Sequence, residues 1–349
     1  MKNSRRFVSL FLAIIIAFGC LINAYAMPLD NGIELKKQFV FGEGPKVGDY
    51  SVDYRYYSPV KENDTAKYPI VVWLHGMGDG ASEGAQVNKS NVAFWASDEF
   101  QSRFQGTKGA FVLAARSREE LGHTWTNDMV EPLRAAIDAF IKENKANIDV
   151  TRIYIGGYSM GGKMTYKMAI AYPEMFAAIF PICPAWSPSE EALTYLADTP
   201  VWMVSSKLDP LVNYYFSVNV TWNKLTKVTN NPENCRFSSL TTVCYANGKK
   251  TSSSHHAWYS VNYDMFTTEN GDYHYMTTVN GKGEEVKLTY PNGMISWLSS
   301  FKSDYDGKPI DGKGNLEKGI QTDNMVAFVS VREFFVILFD AIKSLFEMI

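Results

Sequence analysis

An apolar, β-branched run, Arg152-Ile153-Tyr154-Ile155, leads into Gly157-Tyr158-Ser159-Met160-Gly161-Gly162, and a helical pattern follows from Lys163 to Ala171. Few local patterns restrict a fold so tightly. A chain that reverses from strand to helix around one serine has no room for side chains at the flanking positions, so Gly157 and Gly161 carry none. The turn holds Ser159 in a strained backbone conformation with its hydroxyl pushed outward. Met160 then opens the helix, where its backbone N–H faces any negative charge that develops nearby. Strand, G-x-S-x-G and helix in that order predict a nucleophilic serine at Ser159.

The rest of the chain repeats the alternation. Residues 38–41 and 51–57 read as opening strands at an antiparallel edge. Residues 68–74, 110–115, 151–156, 176–182, 201–206 and 240–245 read as further strands. Helical patterns cover residues 92–104, 131–144, 189–197, 212–225 and 291–301. Such alternation predicts an α/β fold, a mostly parallel central sheet with helices on both faces. The 349 residues are compatible with one core of this class. The formal net charge of −3 and the lack of a basic cluster beyond the first residues give no support to nucleic-acid binding.

The first 26 residues read as a signal peptide: Lys2, Arg5 and Arg6 precede an apolar stretch, and Ala24-Tyr25-Ala26 is a small-x-small cleavage site. A secreted or cell-surface protein is therefore expected. Cleavage leaves Cys183, Cys235 and Cys244. Export permits disulfides, and Cys235 with Cys244 is the expected pair. Cys183, after an apolar strand, reads as a buried free thiol. No His/Cys/Asp cluster has the spacing of a zinc or calcium site.

Two further segments carry chemistry. Leu74-His75-Gly76-Met77-Gly78-Asp79-Gly80 follows a buried strand, and its glycines let backbone N–H groups approach a substrate oxygen. Met77 and Met160 are the expected oxyanion donors, with His75 orienting the loop. Asp209 lies just past the strand 201–206, at the carboxyl end where open α/β sheets place their sites. It is the expected acid, in the chain order serine, acid, histidine. Of the histidines, His123 precedes the serine, while His255, His256 and His274 all follow the acid. Sequence position alone does not choose among those three.

The segment Asp149-Val150-Thr151-Arg152-Ile153-Tyr154-Ile155-Gly156-Gly157-Tyr158-Ser159-Met160-Gly161-Gly162, with Tyr172-Pro173-Glu174-Met175-Phe176-Ala177-Ala178 and Pro181-Ile182-Cys183, resembles the polyhydroxybutyrate-depolymerase and feruloyl-esterase-like branch of the α/β-hydrolases. Bacterial hydrolases of the prolyl-oligopeptidase family share the pattern. The resemblance is specific from about residue 68 to 209 and looser to residue 301. In that branch the base often sits in a His-x-x-Trp motif before a final helix bearing Trp-Leu. His255-His256-Ala257-Trp258 and Trp297-Leu298 match, which favours His255, with His256 and His274 as alternative bases. The resemblance also implies that the N–H groups of Met77 and Met160 form the oxyanion hole.

The expected function is hydrolysis of carboxylic esters through an acyl-enzyme, with no cofactor and no metal. The expected substrate is a small-molecule or polysaccharide-linked ester. A serine peptidase of the prolyl-oligopeptidase type, or a catalytically silent binding module on the same fold, are the alternatives. Residues 27–306 form the expected catalytic domain. The two base-region motifs stand about forty residues apart, so residues 259–290, rich in tyrosine, read as an insertion: a lid, a platform, or a hairpin packed by its own aromatics. Residues 307–324 read as a linker, rich in Gly, Lys and Asp. Residues 325–349 read as an amphipathic helix with a narrow polar stripe of Glu333, Asp340, Lys343 and Glu347, suited to a membrane surface or to self-association.

Overall fold

Strand alternation sets the frame of the molecule. In a computed structural model, which describes residues 32–88, 92–117, 124–245, 248–268, 271–272, 275–289, 292–308 and 314–315, strand β3 (Tyr68–Leu74) is buried along its whole length. Ile70, Val72 and Leu74 face one core, Val71 and Trp73 the other. A strand enclosed on both faces needs this unbroken apolar run. The same division holds in β5 (Ile148–Tyr158), where Ile153 and Ile155 point one way and Tyr154 and Tyr158 the other.

Around these two strands lie β1 (Val40–Glu43), β2 (Asp53–Tyr57), β4 (Phe111–Arg116), β6 (Ala178–Ile182), β7 (Val201–Ser206) and β8 (Cys235–Leu240). Two short strands, β9 (Thr267–Thr268) and β10 (Gly271–Asp272), pair with each other, and β11 (Met276–Asn280) completes the set. Among the described residues the main sheet has nine strands in the order β1-β2-β4-β3-β5-β6-β7-β8-β11. From β4 to β8 all neighbours are parallel, whereas β1, β2 and β11 run antiparallel at the edges. The expected mostly parallel sheet is thus present.

Helices cover both faces. Helix α1 (Val130–Glu143) and helix α2 (Met160–Ala171) enclose one core, with Leu133, Ile137, Phe140, Met164 and Met168 buried there. Helix α3 (Asn219–Val228) adds Trp222 and Leu225. On the opposite face, helix α4 (Met294–Ser299) inserts Met294, Ile295, Trp297 and Leu298. Each fully enclosed large aliphatic side chain contributes about 2 kcal/mol.

Several boundaries differ from the sequence reading. Residues 92–104 form a 3₁₀ turn, Val92–Ala96, and a separate helix, Asp98–Ser102, divided by Ser97, whose hydroxyl accepts the Phe100 N–H and restarts the helix. Residues 240–245 are not a strand; the pairing strand is β8, which ends at Leu240. Its buried serine concealed it, since Ser238 is satisfied by Trp202 and Thr278 and not by apolar contact. Cys235 and Cys244 are buried free thiols, not a disulfide. Cys235 opens β8 while Cys244 lies beyond its far end, and six strand residues span roughly 17 Å, well past the reach of a disulfide. Cys183 is likewise free and buried, as expected.

The stretch read as an insertion does not stand apart from the core. It supplies β11, which pairs with β8. The Phe266 ring lies 4.7 Å from Trp202 and the Tyr263 ring 4.7 Å from Phe94. The signal peptide (1–26) and the C-terminal helix (325–349) of the sequence reading lie outside the described residues.

Candidate active site

Three neighbouring parallel strands, β5, β6 and β7, end on the same edge of the sheet. Ser159 follows β5, Cys183 follows β6 and Asp209 lies just beyond β7. Ser159 sits at φ 57° and ψ −117°, a conformation rare for a residue with a side chain. Strain of this kind costs on the order of 1–3 kcal/mol and persists only where the surroundings over-determine it. Here the Ser159 N–H donates to the Ile182 carbonyl (2.8 Å), and its own carbonyl accepts from Lys163 and Ala185 (3.0 Å each). The flanking glycines are required: a Cβ on Gly157 or Gly161 would lie 2.3 or 2.1 Å from the Leu74 carbonyl oxygen.

Asp209 has two uses. Its Oδ1 accepts the backbone N–H of Leu211 (2.8 Å) and Val212 (2.9 Å), so it organises its own turn. Its Oδ2 accepts Nδ1–H of His255 at 2.8 Å, and the carboxylate is fully buried. The bond fixes the tautomer: in the neutral ring Nδ1 carries the proton and Nε2 keeps its lone pair. His255 is itself 5% exposed, and its ring lies 6.0 Å from that of Tyr158, the residue before Ser159.

The structure thus brings Ser159, Asp209 and His255 to one edge. His256 is half-buried, with its ring 6.1 Å from that of Trp258. Burial, and then the charge of His255, hold its imidazole below the usual histidine range. His123 and His274 lie outside the described residues. His75 is fully buried and occupied: the Ser117 N–H donates to Nε2 (3.0 Å), which leaves Nδ1 to donate to the Gly76 carbonyl (2.6 Å). Its carbonyl accepts the Trp125 indole N–H at 2.9 Å. His75 thereby pins the loop that carries Met77, a half-exposed residue followed by Gly78 at φ 79°.

Two contacts escaped the sequence reading. The Tyr158 hydroxyl donates to the Asp79 carboxylate, tying the Met77 loop to the strand that ends at Ser159. Burial and that carboxylate push the Tyr158 phenol far above its ordinary range. Cys183 also lies against Asp209. The strand-end criterion that singled out Asp209 applies equally to Cys183, and would have found it.

The wider fold can be compared with known proteins. A crystal structure titled a thermostable esterase superimposes with a TM-score of 0.54 at 25% identity, over 66% of this chain and 61% of that one. The phospholipase/carboxylesterase family model matches residues 113–247, the region holding both Ser159 and Asp209. The chain is an α/β-hydrolase in fold. Within that fold, this α/β-hydrolase is 28% identical over 138 residues to poly(3-hydroxybutyrate) depolymerase of Ralstonia pickettii, covering 36% of this chain and 27% of the relative. It is 29% identical over 140 residues to feruloyl esterase B of Neurospora crassa, covering 38% and 44%. The alignments therefore span less than half of either curated relative. They agree with the resemblance to the polyhydroxybutyrate-depolymerase and feruloyl-esterase-like branch, and the family support is for hydrolases of the carboxylesterase type.

Proposed function

We propose that this α/β-hydrolase cleaves carboxylic esters through a serine acyl-enzyme. The observation that carries the reading is the buried 2.8 Å bond from His255 to Asp209, at the sheet edge that also carries a serine held at positive φ. In the proposed cycle, Nε2 of His255 takes the Ser159 proton as Oγ attacks the ester carbonyl. Asp209 stabilises the imidazolium that results. The N–H groups of Met77 and Met160 are the proposed donors to the tetrahedral oxyanion; neither is used in a hydrogen bond among the described residues. Collapse expels the alcohol with a proton from His255. Water activated by the same imidazole then releases the acid and restores Ser159.

The proposed substrate is a small-molecule or polysaccharide-linked ester, a class in keeping with the esterase relatives. Export is part of the proposal and rests on the basic, apolar and small-residue pattern of the first 26 residues. Labelling with a fluorophosphonate probe tests the chemistry. The wild type is expected to be labelled and Ser159→Ala unlabelled, with ester turnover lost by on the order of a million-fold. Labelling that survives Ser159→Ala, or turnover above about a tenth of wild type, would refute the assignment. A panel of short acyl esters, feruloylated or acetylated sugars and peptides then separates ester from peptide substrates.

A further inference from the structure

Cys183 takes no part in the cycle above, yet its surroundings are specific. It adopts φ 42°, the second strained non-glycine residue at this edge of the sheet after Ser159. Its N–H donates to the Val204 carbonyl at 2.8 Å, and the preceding carbonyl, of Ile182, holds the Ser159 N–H. The side chain is fully buried. Its Sγ, an Asp209 carboxylate oxygen and a His255 ring nitrogen all lie within 4.8 Å of one another. The buried Ser205 hydroxyl donates to Sγ at 3.8 Å. With that side of the sulfur supplied, the thiol proton is left to face the Asp209 carboxylate, an oxygen of which lies within 4.8 Å of Sγ.

We infer that Cys183 is a positioning residue: through the relay Ser205 Oγ–H to Sγ and S–H to Asp209, it fixes the carboxylate orientation that presents Oδ2 to His255. The inference rests on the serine-hydrolase reading. Oδ1 is held by two backbone N–H groups and Oδ2 by one imidazole N–H, so a buried carboxylate with capacity for about four hydrogen bonds has one position to fill. A thiol is a weak donor, so the charge it withdraws from the carboxylate, and the shift its loss produces, are modest. Loss of a donor concentrates negative charge on the oxygen facing Nδ1–H and makes the imidazole more basic. The other titratable groups that face this pair are His256 from the same loop, Asp79 from the loop after β3 and Tyr158 from β5. Cys183 also acts on Tyr158, whose phenol burial and Asp79 keep protonated with or without the thiol.

The test compares Cys183→Ala, Cys183→Ser and Ser205→Ala using p-nitrophenyl acetate across pH, with thermal melting alongside. Cys183→Ala is expected to lower kcat roughly three- to tenfold with KM unchanged, and to displace the acidic limb of the kcat/KM profile to higher pH. Cys183→Ser, which keeps a donor, is expected to return the limb to its wild-type position. Ser205→Ala is expected to give a smaller displacement in the same direction. The low-field proton resonance of His255 Nδ1–H should move in Cys183→Ala and return in Cys183→Ser, a readout independent of turnover. An unmoved limb and resonance in Cys183→Ala would overturn the inference, as would a Cys183→Ser profile identical to that of Cys183→Ala. If Cys183→Ala does not fold, the same two readouts in Ser205→Ala decide. A wild-type protein that hydrolyses no ester and takes no fluorophosphonate overturns the serine-hydrolase reading and this inference together, whereas a labelled, active wild type with an unmoved limb removes this inference alone.

Discussion

His255 and His256 are adjacent, and only one of them can use Asp209. Nδ1 of His255 holds the buried carboxylate, while His256 packs near Trp258. His255→Ala should therefore lose ester turnover on the order of ten-thousand-fold or more, and His256→Ala less than about tenfold; steady-state rates on one small ester check both. Tyr158→Phe removes the hydroxyl that ties the Met77 loop to β5, which ends at Ser159. It should lower kcat about tenfold with little change in KM, because the tie acts on the alignment of the oxyanion donor and not on substrate contact. Burst kinetics would separate acylation from binding. Ser159 was legible from sequence because its turn demands glycines at fixed positions. Asp209 was legible because strand ends localise function in open sheets. The choice among histidines was not, since a loop has no periodicity to fix which way a side chain points. There the resemblance favoured His255, and the bond to Asp209 now supports that choice.

Elements were harder to read where polar groups satisfy one another inside the core. Buried Ser238 and Thr278 bond each other between β8 and β11, so neither strand announces itself as an apolar run. The tyrosine-rich stretch looked separable for the same reason. Near its start, Asp264 accepts from Arg103 (3.0 Å) and from the Met294 N–H that opens α4 (2.6 Å). The carboxylate is fully enclosed, and burial raises its pKa despite the guanidinium. Asp264→Ala strands Arg103 without this partner and leaves α4 uncapped, and should cost about 3–5 kcal/mol in urea unfolding. Asp264→Asn keeps an acceptor for Met294 and should cost less. A second ion pair gives a pH signature. Arg55 holds Glu83 through two bonds, and that pairing depresses the Glu83 carboxyl below its ordinary range. A depressed carboxyl stabilises the fold above its unfolded pKa, and that contribution fades as pH falls through the folded one. Glu83 is 43% exposed, so screening limits the contribution to at most about 1 kcal/mol. Glu83→Gln should accordingly narrow the difference in melting temperature between pH 6 and pH 3.

At the scale of the whole molecule, the hydrolase unit continues to the end of the described chain. The Ser303 N–H bonds the Thr151 carbonyl (2.8 Å), and the Tyr305 hydroxyl bonds Asp138 (3.4 Å). Asn315, within the stretch read as a linker, donates to the Ile170 carbonyl at 3.0 Å. No described helix is long and apolar enough to cross a membrane. Truncation after Asp306 keeps the first two of these bonds and removes the third. The truncated protein should hydrolyse a small soluble ester within about twofold of the full chain, and should differ from it in liposome binding or in sedimentation. Equal behaviour in both assays would remove the proposed role of residues 325–349.

Ser159 and Asp209, the proposed nucleophile and acid, stand at the ends of strands bonded on both sides, whereas His255 is carried by a loop whose nearest regular support is the five-residue helix Trp258–Asn262. The proposed nucleophile and acid, on one hand, and the proposed base, on the other, therefore belong to parts of the protein that open with different ease. Warming should release the loop while the sheet is still intact, so that the protein falls silent before it melts and recovers on cooling. Heat-silenced and denatured molecules would then be distinct populations, told apart by whether amide exchange in β5 and β7 remains protected.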